Sequence, residues 1–293
     1  MLFGVIGRAL IAQTKKKIYR WLDSVNLEQG RYFETEELLC YFDNKIFSPG
    51  GKESSFWSTL NNSQGLILDG QVYNDKEFFS SDDRDIPVIH SIWQLYQKQG
   101  LDFLKKLNGD FSMVFWDEAG RKATLVRDKI GVSQLYYGLH KNGIIFGSRL
   151  KPVVWAWGKE DQINKSTLLK YLTFCYNPGL DAFYEGIYRL RPGYVLEWEE
   201  NKHTFKQYWR LSFNVNSRFK IDALSKEIRD RLTLAVQKRI EPASKTGAFL
   251  SGGLDSSTIV SLLHQQGKKG ISTFSFRCRG ESFDESHYAN IVA

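Results

Sequence analysis

The chain has 293 residues, of which 42% are hydrophobic and 25% are charged, and this ordinary globular composition excludes a largely disordered chain. A length close to twice the usual domain size of about 150 residues predicts two domains. The formal net charge is +7, from 40 lysines and arginines against 33 aspartates and glutamates. The sequence contains no nucleic-acid-binding motif, so we expect no nucleic-acid partner. The mild excess of positive charge is compatible with an anionic ligand.

From residue 1 to about residue 210 the sequence consists of short β-type runs separated by turns. The apolar stretch 2–12 is expected to contain the first strand, and Lys15, Lys16 and Lys17 behind it are expected in a solvated turn. The later runs are rich in β-branched or aromatic residues and are bounded by Gly, Asp or Asn, as strands usually are. They lie at 65–69, 111–116, 123–126, 135–137, 144–146 and 194–198, with hairpin connections expected at 117–120 and 140–143.

Two helical patterns interrupt these strands, at 86–100 and at 166–176. Their apolar residues recur at helical spacing, namely Ile89, Ile92, Trp93 and Tyr96 in the first pattern and Leu168, Leu169 and Leu172 in the second. Between the two helices, Arg127 and Asp128 are expected to form a local structural pair. Residues 1–210 are therefore predicted to be an α+β domain with mostly antiparallel sheet.

The pattern changes after a polar linker at 211–220. Residues 221–293 begin with a helix that runs to about residue 240 and carries an apolar stripe of Leu224, Ile228, Leu232 and Val236. After it the sequence predicts a strand at 247–250, a helix at 256–266, a strand at 271–276 and the start of a helix near residue 285. Strand–helix–strand is the unit of a parallel sheet. Because such a sheet needs several strands covered on both faces, we expect a truncated α/β domain, either a fragment of a longer protein or a domain that a partner completes.

Cysteine usage and hydropathy predict the cellular setting. Cys40, Cys175 and Cys278 are far apart and odd in number, which favours a reducing compartment over a disulfide framework, and we expect a cytoplasmic protein. No apolar run approaches the roughly 18 residues that a membrane-spanning helix needs, so no membrane partner is predicted.

The most informative stretch is 249–257, Phe-Leu-Ser-Gly-Gly-Leu-Asp-Ser-Ser, between a predicted strand and a predicted helix. Because Gly252 and Gly253 lack a Cβ, the backbone there can approach an anion and adopt positive φ. The free N–H groups at the start of the following helix, with its positive dipole end, favour phosphate. The loop has no lysine where a Walker loop places one.

Side chains of the same stretch supply hydroxyl donors and one carboxylate. The donors are Ser251, Ser256 and Ser257. Asp255 would repel a bare phosphate, so its expected role is to bind Mg²⁺ that neutralises the phosphates. A glycine-rich turn capped by serine and aspartate is the alternative explanation, but the flanking strand and helix favour a phosphate-binding loop.

These residues resemble the PP-loop of ATP pyrophosphatases, and the rest of the chain from residue 65 onward resembles the asparagine synthetase family. The segments at 273–276 and 283–289 are similar to the family's sequence after the loop. The segments that resemble its class II glutamine amidotransferase domain are 65–74, 107–117, 126–138, 146–151, 191–194 and 208–209. The resemblance implies an Ntn-hydrolase-like domain, with antiparallel sheets sandwiched by helices, followed by the start of an adenine nucleotide α-hydrolase-like domain.

The resemblance also implies roles for individual residues. ATP and pyrophosphate would bind at Leu250, Ser251, Gly252, Gly253, Asp255, Ser256, Ser257 and Phe276. Within this set, Leu250 and Phe276 would flank the adenine, and Asp255 would hold Mg²⁺.

The family pattern is broken at the site that hydrolyses glutamine. Glutamine-hydrolysing members carry a nucleophilic cysteine after the initiator Met, where this chain has Leu2. The family's Arg-Gly-Pro-Asp segment is absent from the first 65 residues, and Asp69 replaces an asparagine, so a carboxylate would oppose an oxyanion there. Cys40 lies in an apolar run and is expected to be buried and inert. We therefore expect an inactive glutaminase without catalytic residues, retained as a scaffold.

What the resemblance implies for function is a carbon–nitrogen ligase that adenylates a carboxylate, releasing AMP and pyrophosphate, for attack by an amine. Family members without the cysteine include β-lactam synthetase and the lasso peptide cyclases. The implied partners are ATP, Mg²⁺ and a small-molecule or peptide substrate that supplies the carboxylate and the amine, with a homodimer as a further possibility. Two alternatives stay open: asparagine synthase that uses free ammonia, and a truncated, catalytically incomplete ATP-binding remnant.

Overall fold

The computed structural model describes residues 1–24, 30–43, 56–59, 63–78, 87–199, 202–213, 215, 220–240, 246–267, 270–277, 280 and 284–293. Cys278, Phe283 and parts of the predicted linker (214 and 216–219) lie outside the described residues. The chain divides into two compact units, Met1–Ser212 and Phe213–Ala293.

The N-terminal unit is built on two six-stranded antiparallel sheets. Its strands are β1 (Leu2–Ile6), β2 (Gly30–Glu34), β3 (Leu38–Asp43), β4 (Phe56–Ser58), β5 (Gln64–Val72), β6 (Gly109–Asp117), β7 (Lys122–Arg127), β8 (Tyr136–His140), β9 (Gly143–Gly147), β10 (Tyr188–Arg189), β11 (Tyr194–Glu199) and β12 (Lys202–Gln207). The first sheet has the order β10-β8-β9-β1-β3-β2 and the second β12-β11-β7-β6-β5-β4. The predicted hairpin connections join β6 to β7 and β8 to β9.

Alternation along the strands divides the apolar residues between an inner and an outer layer. The inner layer packs the two sheets against each other and includes Leu2, Ile67, Val114, Phe146 and Leu196. Outside the first sheet lie α1 (Arg8–Ser24) and α3 (Leu150–Trp157), and outside the second lies α2 (Val88–Gln99). This helix–sheet–sheet–helix order confirms the predicted Ntn-hydrolase-like α+β class, with antiparallel sheets sandwiched by helices.

The first strand is shorter than predicted, and the predicted lysine turn is wrong. Strand β1 ends at Ile6, Gly7 follows with φ 114°, and the lysines at 15–17 lie within helix α1. Leu10, Ile11, Ile18 and Trp21 form the buried side of this helix, at helical spacing. The three consecutive lysines hide that spacing in the sequence, because they occupy the opposite, solvated side of the same turns.

The second predicted helix is present as α4 (Lys165–Phe174), and the Asn164 side chain caps it by accepting a hydrogen bond from the N–H of Thr167. Its leucine stripe faces outward, since Leu169 and Leu172 are 66% and 69% exposed. The residue of this helix that is buried is Thr167. Apolar periodicity therefore predicted the helix correctly but does not identify the face that packs on this unit.

A buried carboxylate fixes the segment that carries the chain from the second sheet to the first. Asp128 directly follows β7 and is 0% exposed. Its two oxygens accept hydrogen bonds, at 2.6–3.1 Å, from the backbone N–H groups of Ile130, Gly131, Val132 and Ser133. These bonds hold the loop in one conformation, because a buried charge without partners is costly.

Arg127 supports the same loop from its other side. Its guanidinium donates hydrogen bonds, at 2.7–2.8 Å, to the carbonyl oxygens of Gly131, Ser133 and Leu190. Burial lowers the pKa of Arg127, and the neighbouring carboxylate of Asp128 acts against this shift. The Arg127–Asp128 pair therefore organises backbone on both sides of the crossing.

The C-terminal unit begins a parallel α/β fold. Its elements are α5 (Ile221–Arg239), β13 (Gly247–Phe249), α6 (Leu254–Gln265), β14 (Ser272–Phe274) and α7 (Ser286–Val292). Strands β13 and β14 pair in parallel, with α6 as the connection between them. This confirms the predicted strand–helix–strand unit.

The apolar stripe predicted on α5 is largely solvent-exposed in the described residues. Leu224, Ile228 and Leu232 are 38–50% exposed, and Val236 is buried against Leu262. No helix in the described part of the chain combines the length and apolar character that crossing a membrane requires.

We expect Asp128→Ala to lower the free energy of unfolding by about 3 kcal/mol or more, because four backbone N–H groups lose a buried charged acceptor. Urea denaturation followed by tryptophan fluorescence measures this change. Asp161→Ala removes an exposed carboxylate and serves as the matched control, with an expected change within about 0.5 kcal/mol. Equal effects of the two substitutions would contradict the role assigned to Asp128.

Candidate functional site

The loop that follows β13 is anchored to the neighbouring strand at its first residue. The N–H of Leu250 donates to the carbonyl oxygen of Phe274 at 2.9 Å, and the hydroxyl of Ser275 donates to the carbonyl oxygen of Leu250 at 2.6 Å. The Leu250 side chain is 1% exposed and packs with Val260 and Ala289. The loop therefore starts from a fixed point at the carboxyl edge of the parallel pair.

Two serine hydroxyls close the loop on itself. The Oγ atoms of Ser251 and Ser256 lie 3.0 Å apart, and the N–H of Ser251 donates to Ser256 Oγ at 3.2 Å. The N–H of Gly253 donates to Ser251 Oγ at 3.2 Å, and the Ser256 hydroxyl donates to the Gly253 carbonyl at 3.3 Å. Both hydroxyls are thus gathered where the backbone enters the helix.

The two glycines of the loop have different roles. Gly252 has φ +88°, and a Cβ there would overlap the nitrogen of Ala289 and lie 2.6 Å from the Cβ of Tyr288, so helix α7 approaches the loop at this point. Gly253 has an ordinary φ of −72°, and a Cβ there would meet Ser251 Oγ at 3.3 Å. Positive φ is confirmed at Gly252 and is not adopted at Gly253, where an added Cβ would crowd the Ser251 hydroxyl.

Helix α6 presents its N-terminus at the end of this loop. Among the residues that the structure describes, no side chain caps the helix at Gly253, so N–H groups of its first turn remain available to an acceptor, next to the positive end of the helix dipole. Asp255 lies in the first turn and is exposed. Donors for an anion and one carboxylate for a cation therefore meet at the same helix end.

The remaining predicted residues are less closely associated with the loop. The N–H of Ser257 donates to Gly253, but its buried hydroxyl makes no hydrogen bond to any described residue. Ser257 lines a groove of about 410 Å³ between α5 and α6, together with Ile228 and Leu232. Phe276 is 87% exposed, in contrast to the buried Leu250.

Mg²⁺ at this site would depend on Asp255 and on ligand oxygens. Among the described residues no cluster of three or more His, Cys, Asp or Glu side chains could hold a metal ion. One carboxylate beside bound phosphates is nevertheless a usual arrangement for Mg²⁺, which keeps several waters and is shared with the substrate. The exposed carboxylate of Asp255 fits this requirement.

At the N-terminus, the side chain at position 2 is packed in the hydrophobic core. The Leu2 side chain is 0% exposed, and its backbone N–H donates to Asp69 Oδ2 at 3.1 Å and to Ser148 Oγ at 3.0 Å. The Met1 ammonium lies 3.5 Å from Asp69 Oδ1. The Asp69 carboxylate thus links β1 in the first sheet to β5 in the second.

The cysteine nearest to this region is buried as expected. Cys40 is 1% exposed, and burial raises the pKa of its thiol, which keeps it in the weakly nucleophilic protonated form. Sequence reasoning missed Ser148 and Ser275, whose hydroxyls hold backbone groups beside the two sites. Ser275 lies near the carboxyl end of the strand predicted at 271–276, and a hydroxyl residue at that end of a parallel strand is the signal that could have drawn attention to it.

Comparison with known families matches both units. Residues 56–209, more than half of the chain, match the family described as glutamine amidotransferase domain, and residues 227–293 match the family described as asparagine synthase.

Among curated relatives, the amidase chry2 of Gibberella zeae is 30% identical over 75% of this chain and 33% of its own length. A putative glutamine-hydrolyzing asparagine synthetase 2 of Methanocaldococcus jannaschii is 30% identical over 78% of this chain and 45% of its own length. The glutamine-hydrolyzing asparagine synthetase 1 of Bacillus subtilis is 26% identical over 99% of this chain and 48% of its own length. The chain spans a third to about half of the length of these relatives.

Similarity to solved structures is weak. The glutamine phosphoribosylpyrophosphate amidotransferase of B. subtilis, complexed with ADP and GMP, has a TM-score of 0.47 and 13% identity, over 95% of this chain and 66% of that one.

We expect Gly252→Ala to destabilise the C-terminal unit by about 1–3 kcal/mol, because the added methyl group meets α7 and the residue must keep a positive φ. Hydrogen exchange of the α7 amides should become faster in this variant. Gly253→Ala is the matched control, since its backbone conformation suits alanine, and we expect little change in α7 exchange. Faster α7 exchange in both variants, or in neither, would contradict the packing described for Gly252.

Proposed function

The chain belongs to the asparagine synthetase family and carries that family's glutamine amidotransferase domain, and from this premise we propose that it acts as an ATP-dependent ligase that forms amide bonds. The observation that carries the proposal is the closed serine–glycine loop at the uncapped N-terminus of α6. A loop of this kind, at the carboxyl edge of a parallel pair, is suited to bind the phosphates of a nucleotide.

In the proposed reaction a carboxylate oxygen of the substrate attacks the α-phosphorus of ATP. A new oxygen–phosphorus bond forms, the bond between the α-phosphorus and the bridging oxygen breaks, and pyrophosphate leaves with the electron pair. The first-turn N–H groups of α6 and the hydroxyls of Ser251 and Ser256 would stabilise the charge that develops on pyrophosphate. Mg²⁺ held by Asp255 would offset the phosphate charge.

The second step transfers the acyl group. An amine attacks the carbonyl carbon of the acyl adenylate, a carbon–nitrogen bond forms, AMP leaves with the electrons of the broken carbon–oxygen bond, and the amine loses a proton. We propose that the substrate itself supplies this amine, as in family members that do not hydrolyse glutamine.

Loss of glutamine hydrolysis is part of the proposal. Position 2 holds the buried apolar side chain of Leu2, and Cys40 is sealed in the core with a raised thiol pKa. The Asp69 carboxylate binds a backbone N–H and the terminal ammonium, so it is an acceptor where an oxyanion would need donors. The N-terminal unit then serves as a scaffold.

A second candidate function is asparagine synthesis from free ammonia. The relatives from M. jannaschii and B. subtilis carry the name asparagine synthetase, which favours aspartate as the carboxylate. This candidate uses the same adenylation step and differs in the amine that attacks.

We expect the protein to catalyse ATP–pyrophosphate exchange when supplied with Mg²⁺ and a suitable acid. Aspartate and a peptide with a free carboxylate and a free amine are the two substrates to compare, and exchange with aspartate alone would favour the second candidate. Asp255→Ala should lower the exchange rate roughly tenfold or more through the lost metal ligand, whereas Asp222→Ala, an exposed residue of α5, should not. Nucleotide binding without exchange would reject both ligase candidates in favour of an ATP-binding remnant.

We also expect no release of ammonia from glutamine, since no thiol stands at position 2. The measurement is a glutamate-forming assay on the wild-type chain and on Cys40→Ser. Hydrolysis by the wild type that disappears in Cys40→Ser would identify Cys40 as a nucleophile and refute the scaffold role.

A further inference from the structure

The parallel pairing of β13 and β14 ends next to a side-chain hydroxyl that is not part of the predicted loop motif. The register runs from Gly247 opposite Ser272 to Phe249 opposite Phe274. The N–H of Leu250 continues the ladder by donating to the carbonyl of Phe274 at 2.9 Å. Pairing therefore persists for one hydrogen bond beyond the two strands.

The next bond of the ladder is replaced. In a parallel pair the carbonyl of Leu250 would accept from the N–H two residues after Phe274, which belongs to Phe276. Instead the Ser275 hydroxyl donates to this carbonyl at 2.6 Å, and no hydrogen bond joins Phe276 N–H to Leu250 among the residues that the structure describes. The Ser275 hydroxyl therefore gives the Leu250 carbonyl the hydrogen-bond donor that the backbone of the neighbouring strand does not provide.

Beyond this hydrogen bond, the segments that follow β13 and β14 have different environments. Leu250 turns its side chain into the core beside Val260 and Ala289, whereas Phe276 is 87% exposed. The chain after Leu250 enters the loop with the Ser251 and Ser256 hydroxyls. In open α/β sheets, ligands bind in the crevice outside the carboxyl ends of the strands.

We propose that Ser275 is a positioning residue that ends the β13–β14 pairing and holds open the crevice for the adenosine half of the nucleotide. This inference rests on the proposed nucleotide-binding function. The phosphate half depends on the first-turn N–H groups of α6 and on the hydroxyls of Ser251 and Ser256, none of which is hydrogen-bonded to Ser275. Without the Ser275 hydroxyl the loop still keeps its anchor from the Leu250 N–H to the Phe274 carbonyl. The Ser275 hydroxyl therefore acts on nucleotide affinity and leaves pyrophosphate affinity unchanged.

The substitution Ser275→Ala removes the donor and returns the Leu250 carbonyl to the N–H of Phe276, so the strands pair for one more residue and the crevice narrows. Ser275→Thr keeps the hydroxyl. Ser272→Ala is the matched control, because Ser272 is an exposed serine of the same strand.

Two measurements on the full chain test the inference. Hydrogen exchange of the Phe276 amide, without any nucleotide, should slow roughly tenfold or more in Ser275→Ala, since the amide gains a partner. Calorimetric titration should show Mg-ATP binding weakened about threefold to tenfold, the effect of one lost hydrogen bond, with Mg-pyrophosphate binding unchanged. The conservative variant Ser275→Thr and the control Ser272→Ala should match the wild type in both measurements.

Each other outcome has a defined meaning. Unchanged Mg-ATP affinity in Ser275→Ala, or an equal loss of Mg-ATP and Mg-pyrophosphate affinity, would overturn the positioning role. Failure of the wild type to bind either ligand would instead refute the proposed function, and with it the adenosine crevice. In that case slower exchange at Phe276 in Ser275→Ala still supports the part of the inference that concerns strand pairing, and unchanged exchange overturns that part as well.

Discussion

The arrangement of the two sheets depends on the fully buried carboxylate of Asp128. It accepts four backbone hydrogen bonds within the loop that leaves the second sheet for the first, and Arg127 joins the same loop to the chain at Leu190. A buried charge must keep its partners, so this crossing has one stable conformation. The loop leads into β8 of the first sheet, in which β1 lies near the centre.

Because the sheets are held face to face, the N-terminal strand contributes to packing and to a polar link between them. Leu2 fills part of the inner layer, while its backbone N–H reaches Asp69 on β5. The carboxylate of Asp69 suits a role as acceptor for an N–H group and an ammonium. These contacts give a physical reason for the scaffold role that we propose for the N-terminal unit.

The C-terminal unit satisfies its loop backbone largely through hydroxyl groups. The hydroxyls of Ser251 and Ser256 accept hydrogen bonds from N–H groups inside the loop. The Ser275 hydroxyl donates a hydrogen bond to the Leu250 carbonyl at the start of the loop. The loop is thereby preshaped before any ligand binds, which lowers the ordering cost of recognition. Gly252 adds the close contact with α7, which no residue with a Cβ would allow.

Local patterns in the sequence determined most strands of the N-terminal unit, its hairpins, and the succession β13, loop and α6 that positions the candidate site. They failed at α1, where lysines mask the buried side of a helix, and they did not identify which face of α4 is buried. Tertiary structure alone decided that Ser257 lines the groove beside α5, that Leu250 is buried while Phe276 is exposed, and that Ser275 ends the strand pairing. The physical reason is that propensity and periodicity act between near neighbours along the chain, whereas burial and hydrogen-bond partners depend on groups brought together from distant parts of it.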